Sequence, residues 1–198
     1  MQKRKHTVIL ASGSPRRKEL LGMICEEFQV ILSDCEEIVT STRPEEVTKE
    51  LSKQKAEAVA AAEAGRIADA IIIGADTVVS AGGEILGKPK DREDAFAMLR
   101  RLSGANHQVS TGVTLLRTGA AGEIVWQKSF AETTTVRVAE LTDEEINCYL
   151  DTDEPYDKAG AYGFQGIFGR YISGIEGDYN NVVGLPVHRL YTELKKMS

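Results

Sequence analysis

The sequence predicts an α/β protein with a partly mixed sheet, and three observations carry that prediction. The apolar run Val8-Ile9-Leu10 passes through small, turn-prone residues into clear helix-start signals. Ala70-Ile71-Ile72-Ile73-Gly74 is the strongest buried-strand signal in the chain, with β-branched residues in succession. Beyond these, strand-like and helix-like segments alternate to the end.

The first helix begins at Ser14, which can cap free backbone N–H groups, followed by Pro15 at the first helical position. Leu20, Leu21 and Ile24 form its apolar stripe. Residues 28–33 read as a second strand, which runs into the acidic loop Asp34-Cys35-Glu36-Glu37. Pro44 opens a long helix with Thr42 or Ser41 as its cap and Gly65 as its end. Its apolar row is Val47, Leu51 and Val59, and Lys55 takes the missing position. A lysine on an inward row either snorkels to the rim or reaches into a cleft.

After the strand at 70–74 come Asp76-Thr77, a continuation through Val78-Val79, and a hairpin turn at Gly82-Gly83. A helix capped by Asp91 and closed by Gly104 buries Ala95, Met98, Leu99 and Leu102. Long strands are expected over 107–116 and 124–138, and Thr142-Asp143-Glu144-Glu145 is a capping box for another helix. Residues 152–166 read as loop, with short strands around 167–176 and 179–184 and a final helix from about Pro186.

The totals bound the function. The 198 residues suffice for one domain, or one with a lobe-like extension, and 42% hydrophobic and 27% charged residues suit an ordinary globular protein. A net charge of −6 speaks against a nucleic-acid surface. Cys25, Cys35 and Cys148 show no C-x-x-C spacing, so free and mostly buried thiols in a reducing compartment are expected. With neither an 18-residue apolar run nor the h-region of a signal peptide, a cytoplasmic protein without membrane association is the expectation.

Some motifs fail on inspection. Residues 82–88 match G-x-x-x-x-G-K, but Pro89 replaces the hydroxyl that a P-loop needs for Mg²⁺. Residues 160–166 read G-x-x-G-x-x-G, which is not the dinucleotide fingerprint. His6, His107 and His188 are too scattered for a triad or a metal cluster.

The informative charges stand at the ends of elements, where α/β sites form. Arg16 and Arg17, with Lys18 beside them, occupy a first helical turn whose partial positive charge favours acids. An anion such as a phosphate chain would reconcile them, and removing either arginine is expected to leave stability unchanged or raise it. Lys55, Lys88 and Lys158 are further cations, and Glu37, Asp76 and Asp157 are the acids. An unpaired carboxylate at the end of an apolar strand, as at Asp76, is expensive. Together these groups suit a polyphosphate substrate and a hard divalent cation with oxygen ligands.

The motifs from Ala11 to Leu21, at 73–79, Gly87-Lys88-Pro89, Leu102-Ser103-Gly104, His107-Gln108-Val109, Thr111-Gly112-Val113, 154–166 and 177–186 together resemble the Maf family of nucleoside triphosphate pyrophosphatases, in order over nearly the whole chain. The resemblance implies a two-lobed α/β fold with a strongly curved mixed sheet around a cleft, a homodimer, and hydrolysis of a nucleoside triphosphate to monophosphate and pyrophosphate. Ser-Pro-Arg-Arg, Gly-Ala-Asp-Thr and Gly-Phe-Gln-Gly resemble the branch acting on dTTP, UTP and modified pyrimidine nucleotides, although Phe164 stands where relatives often carry Ile. By the same resemblance Arg16, Thr77 and Gln165 set selectivity.

On this view Ser12, Arg16 and Arg17 bind phosphates, with Lys55 and Lys88 facing them. Asp76 is the general base, alone or as a metal ligand, and Glu37 helps to hold Mg²⁺, for which Mn²⁺ or Co²⁺ could substitute. The alternatives are a nucleotide-binding regulator of septum formation with little turnover, or a pyrophosphatase for 7-methyl-GTP or another non-standard nucleotide.

Overall fold

The computed structural model describes residues 6–197. One seven-stranded mixed sheet runs, in spatial order, Gln29–Val30 (β2), Thr7–Ala11 (β1), Ala70–Ala81 (β3), Asn106–Thr118 (β5), Ile124–Val138 (β6) and Ile172–Glu176 (β7), with Glu84–Leu86 (β4) attached to β3. Strand β1 (Thr7–Ala11) is followed by α1 (Pro15–Gly22), β2 (Gln29–Val30) and α2 (Pro44–Ala62). Strand β1 pairs in parallel with β2 on one side and with β3 (Ala70–Ala81) on the other. The chain therefore reverses direction across the sheet at β1. Its alternating residues face two cores: Leu10 packs with Leu20 and Leu21 of α1, while Ile9 and Ala11 pack with Ala56 and Val59 of α2.

The hairpin from β3 to β4 (Glu84–Leu86) leads into α3 (Arg92–Leu102). Two long antiparallel strands, β5 (Asn106–Thr118) and β6 (Ile124–Val138), precede α4 (Asp143–Leu150). The capping box at Thr142 and Glu145 is formed, and Asp91 caps α3 by accepting from the Asp94 amide. Three 3-10 turns, at Pro155–Asp157, Ala159–Ala161 and Ile167–Tyr171, lead to β7 (Ile172–Glu176), α5 (Tyr179–Val183) and α6 (Val187–Lys196).

Strand β3 organises the molecule. Along one edge it pairs with β5 without interruption from Ile71 to Ser80. Along the other, β1 pairs with Ala70–Gly74 and β4 takes over only at Val79. The stretch from Ala75 to Val78 thus has no strand partner on that side, and the sheet opens there. The cores separate at the same place. Ile71, Ile73 and Ala75 belong to the lobe of α1 and α6, whereas Val79 and Ala81 belong to the lobe of α3 and α4.

Helix α2 lies unusually close to this strand. Thr48, Ser52, Ala56 and Ala60 repeat at intervals of four, so one face of α2 is a ridge of small, buried residues. Glycines meet that ridge on the sheet. A Cβ on Gly74 would stand 2.1 Å from the Ser52 carbonyl oxygen, and one on Gly112 would stand 2.3 Å from that of Thr48. Only glycine permits backbone to approach backbone in this way.

Several expectations need correction. Arg43, not Thr42 or Ser41, occupies the cap position of α2 and makes no side-chain capping bond; Ser41 Oγ accepts instead from the Arg43 amide. The helix ends at Ala62, and turns carry the chain to Gly65. The second strand shrinks to Gln29–Val30, both exposed, because little apolar surface covers them. Residues 167–171 form a 3-10 turn, and Tyr179–Val183, within the strand expected at 179–184, form helix α5. Asp178 caps that helix through the Asn180 amide and Gly184 closes it at φ 127°, which outweighs the β-branched pair Val182-Val183. The free cysteines are not mostly buried: Cys25 and Cys35 are half-buried and Cys148 is exposed.

Two predictions follow from this packing. Gly74→Ala should lower stability by about 2 kcal/mol or more, read as a drop in denaturant midpoint, because backbone must move. Buried His107 bonds through Nε2 to the Tyr162 hydroxyl at 2.7 Å, and burial pulls its pKa down from 6.5 to about 4. Between those values the unfolded chain takes up a proton that the folded one refuses. This contribution is therefore complete above the unfolded pKa and falls away as pH drops toward 4, by roughly 3 kcal/mol in all. Unfolding of wild type and His107→Gln at pH 7 and 4.5 should show a smaller pH dependence in the variant.

Candidate active site

The opening beside β3 is a cleft of about 660 Å³. That is within the range of small-molecule sites. Its floor is the unpaired stretch of β3, and its walls come from the start of α1, the middle of α2, the segment after β4 and residues 157–166. Arg16, Arg17, Lys55, Lys88, Lys158, Glu37, Asp76 and Asp157 all line it, as do Thr77 and Gln165. Five cations thus face three acids in a chain whose net charge is −6.

Lys55 reaches into the cleft and does not snorkel. Its Nζ lies 2.5 Å from Asp76 Oδ1 and 2.9 Å from Glu37 Oε1. Burial works against its charge, but the Asp76 and Glu37 carboxylates outweigh burial and raise its pKa above the ordinary lysine value. The contact follows from the packing. Ser52 and Ala56 are seated over Gly74, and Lys55, on the same turn of α2 between them in sequence, reaches Asp76, two residues further along the strand.

Arg17 is locked across the fold. Its Nε donates to the Gly184 carbonyl at 2.9 Å, Nη1 to Ser12 Oγ at 3.2 Å and Nη2 to Thr77 Oγ1 at 3.0 Å. Thr77 Oγ1 in turn bonds Thr111 Oγ1, which donates to the Asn181 carbonyl. Burial pushes the Arg17 pKa below its ordinary value, with Asp76 opposing that shift. Of its five N–H groups, two remain for an anion. Ser12 is buried and is not among the cleft-lining residues, so its visible role is to hold Arg17. Arg16, one residue earlier, is exposed at the rim.

At the far wall Lys158 donates to the Glu154 carbonyl at 2.8 Å and pairs with Asp157 at 2.5 Å, which holds the Asp157 carboxyl below its usual range. Glu154, which the sequence reading did not single out, accepts from the Tyr149 hydroxyl and from the Ile167 amide. It thereby fixes the loop that carries Phe164 and Gln165. Gln165 Nε2 lies 3.4 Å from the Tyr179 hydroxyl, and the Phe164 and Tyr179 rings meet edge to face. The rejected P-loop match is a β-hairpin, with residues 84–86 forming β4.

Among the described residues no three His, Cys, Asp or Glu side chains come together. Glu37 and Asp76 nevertheless meet at one point, the Lys55 ammonium, and offer oxygen donors only. That fits Mg²⁺ bound by one or two carboxylates and completed by substrate phosphates and water, and does not fit an all-protein cage.

Fold and cleft together define a mixed-sheet α/β protein with a cation-rich cleft at a topological switch point. Comparison with known proteins narrows this class. The chain belongs to the Maf family: the model of Maf-like proteins matches residues 7–197. It is 52% identical to a dTTP/UTP pyrophosphatase of Agathobacter rectalis, over 96% of this chain and 97% of the relative. Identity to a dTTP/UTP pyrophosphatase of Carboxydothermus hydrogenoformans is 51%, with the same coverage of each chain. Among solved structures it is similar to the Ham1 protein of Staphylococcus aureus, with TM-score 0.54 and 16% identity over 97% of this chain and 100% of that one. This last likeness is one of fold.

The arginines should separate on substitution, which revises the sequence-based expectation of equal effects. Arg16→Ala should leave melting unchanged or raised, since only the clash with the helix end is relieved. Arg17→Ala should cost about 1–2 kcal/mol, because Gly184, Thr77 and Ser12 lose their donor. Thermal melts of both variants check this.

Proposed function

We propose that the protein hydrolyses dTTP and UTP to the nucleoside monophosphate and pyrophosphate. The observation that carries this reading is that five cations line one cleft together with Asp76 and Glu37 in an acidic protein. Membership in the Maf family, and full-length similarity to proteins named for that activity, support it. A binding-only protein would gain from the cations but not from the acids, whose charge repels phosphate.

In this reading Arg17, Arg16 and the α1 N-terminus hold the phosphate chain on one wall, and Lys55 and Lys88 face them from the other. Lys55 engages Asp76 through Oδ1, which leaves Oδ2 to take a proton from the attacking water. Water adds at phosphorus, the α–β bridging bond breaks, and pyrophosphate leaves with the electron pair. A divalent ion, most simply Mg²⁺, held by Glu37 and Asp76 would supply charge neutralisation on the phosphate oxygens. Gln165, backed by Phe164 and Tyr179, would present its amide to the pyrimidine edge, with Arg16 beside it at the rim. Thr77 would influence selectivity through the Arg17 guanidinium that it accepts from. Free thiols at Cys25, Cys35 and Cys148 support placing the protein in the reducing cytoplasm; a homodimer is the assembly that the family resemblance implies.

Pyrophosphate release with Mg²⁺ from dTTP, UTP, dCTP, ATP, GTP and 7-methyl-GTP tests the reading. Fast release confined to dTTP and UTP is expected, and turnover of 7-methyl-GTP alone would overturn the assignment of the base pocket. Asp76→Asn should remain folded and lose roughly 10²–10⁴-fold in turnover, as expected when a general base is removed. Near wild-type kcat would take that role away from it.

A further inference from the structure

Residues 31–43, between β2 and α2, have no regular secondary structure, and residues 36–40 are exposed. Ile38 and Val39 are 60% and 47% exposed, so apolar burial does not hold this segment. Yet it carries Glu37, which must sit over Lys55 for the cleft to have its second acid. The Glu37–Lys55 pair leaves the Glu37 side chain half exposed, and an ion pair in that setting contributes little by itself.

What sets the register is α2. Gln54 grips both backbone polar atoms of Ile38: its Oε1 accepts from the Ile38 amide at 2.9 Å and its Nε2 donates to the Ile38 carbonyl at 2.5 Å. One helical turn earlier, Glu50 accepts from the Thr40 amide at 2.9 Å and from the Thr40 hydroxyl at 2.5 Å. The Thr40 hydrogen bonds also hold the Glu50 carboxyl below its ordinary range. Residues 50 and 54 lie one above the other on the helix, and residues 38 and 40 lie on the same side of an extended chain. The helix thus offers its side chains as a substitute strand edge. Glu37 is the residue next to the two-way bond, and Lys55 is the residue next to Gln54.

We propose that Gln54 and Glu50 are positioning residues that hold Glu37 over the cleft by clamping residues 38–40 to α2. The proposal rests on the hydrolysis reading for the role of Glu37 itself. Gln54→Leu removes both bonds and keeps a good helix former at an outward position, and Glu50→Ala removes the second clamp.

Amide hydrogen exchange of Ile38 and Thr40, followed by NMR, reads the clamp directly. Gln54→Leu should speed Ile38 exchange roughly tenfold or more, as expected for the loss of a paired set of hydrogen bonds, and Glu50→Ala should do so for Thr40. Turnover of dTTP should fall several-fold in Gln54→Leu with an unchanged melting temperature. That loss should vanish when Glu37→Gln is already present. Wild-type exchange in both variants, or a turnover loss that persists in the Glu37→Gln background, would overturn the proposal. Wild-type turnover in Glu37→Gln alone would instead refute the catalytic role of Glu37, and the exchange rates would then decide the clamp.

Discussion

The site depends on the backbone-to-backbone seating of α2 on β3 and β5. Where Gly74 and Gly112 meet the small-residue ridge of α2, helix and sheet approach too closely for any Cβ. That seating fixes the height and rotation of the helix, and so the position of Lys55, which lies on the same turn as the contact residues Ser52 and Ala56. Asp76 can then be a buried carboxylate on an apolar strand because an ammonium is delivered to it. Removing one partner of such a pair leaves an expensive charge, so the packing and the chemistry stand or fall together.

A second constraint is the discontinuity along one edge of β3. Because β1 ends at Gly74 and β4 begins at Val79, two lobes with separate cores share one continuous strand, and the cleft lies on the stretch between them. Arg17 ties the two ends of the chain together at this point, reaching from α1 to the Gly184 carbonyl at the end of α5. The guanidinium is therefore rigid before any ligand arrives. Preorganised charge of this kind stabilises developing charge without reorganisation at the moment of reaction. The excess of cations within the cleft, set against the acidic surface, also focuses a polyanion toward it.

Much of this was legible in the sequence. The caps at Ser14, Asp91 and Thr142, the buried run at 70–74 and the long strands β5 and β6 are local signals, and local signals survive folding. The eight charged residues picked out in the sequence all reach the cleft, but Lys55 does so from the middle of α2 and Asp76 from the middle of β3, not from ends of elements as expected. What the sequence reading missed was non-local or masked. The ridge at Thr48, Ser52, Ala56 and Ala60 is visible as a four-residue spacing, but the row through Val47 and Leu51 hid it. Helix α5 was framed by Asp178 and Gly184, and β-branched Val182-Val183 pointed the other way. The lock on Arg17 joins residues 167 positions apart, and nothing in either segment alone announces it.

The most direct test of this account is Lys55→Met, since it leaves the helix propensity, the ridge and the glycine contacts in place while removing the ammonium that joins α2 to Asp76 and Glu37. Steady-state turnover of dTTP would be measured beside circular dichroism and a denaturant titration at 25 °C. The account predicts a protein that remains folded, with its midpoint lowered, and a kcat reduced by orders of magnitude. A folded variant with wild-type kcat would show that the seating of α2 serves stability alone, and would contradict the claim that it exists to build the active site.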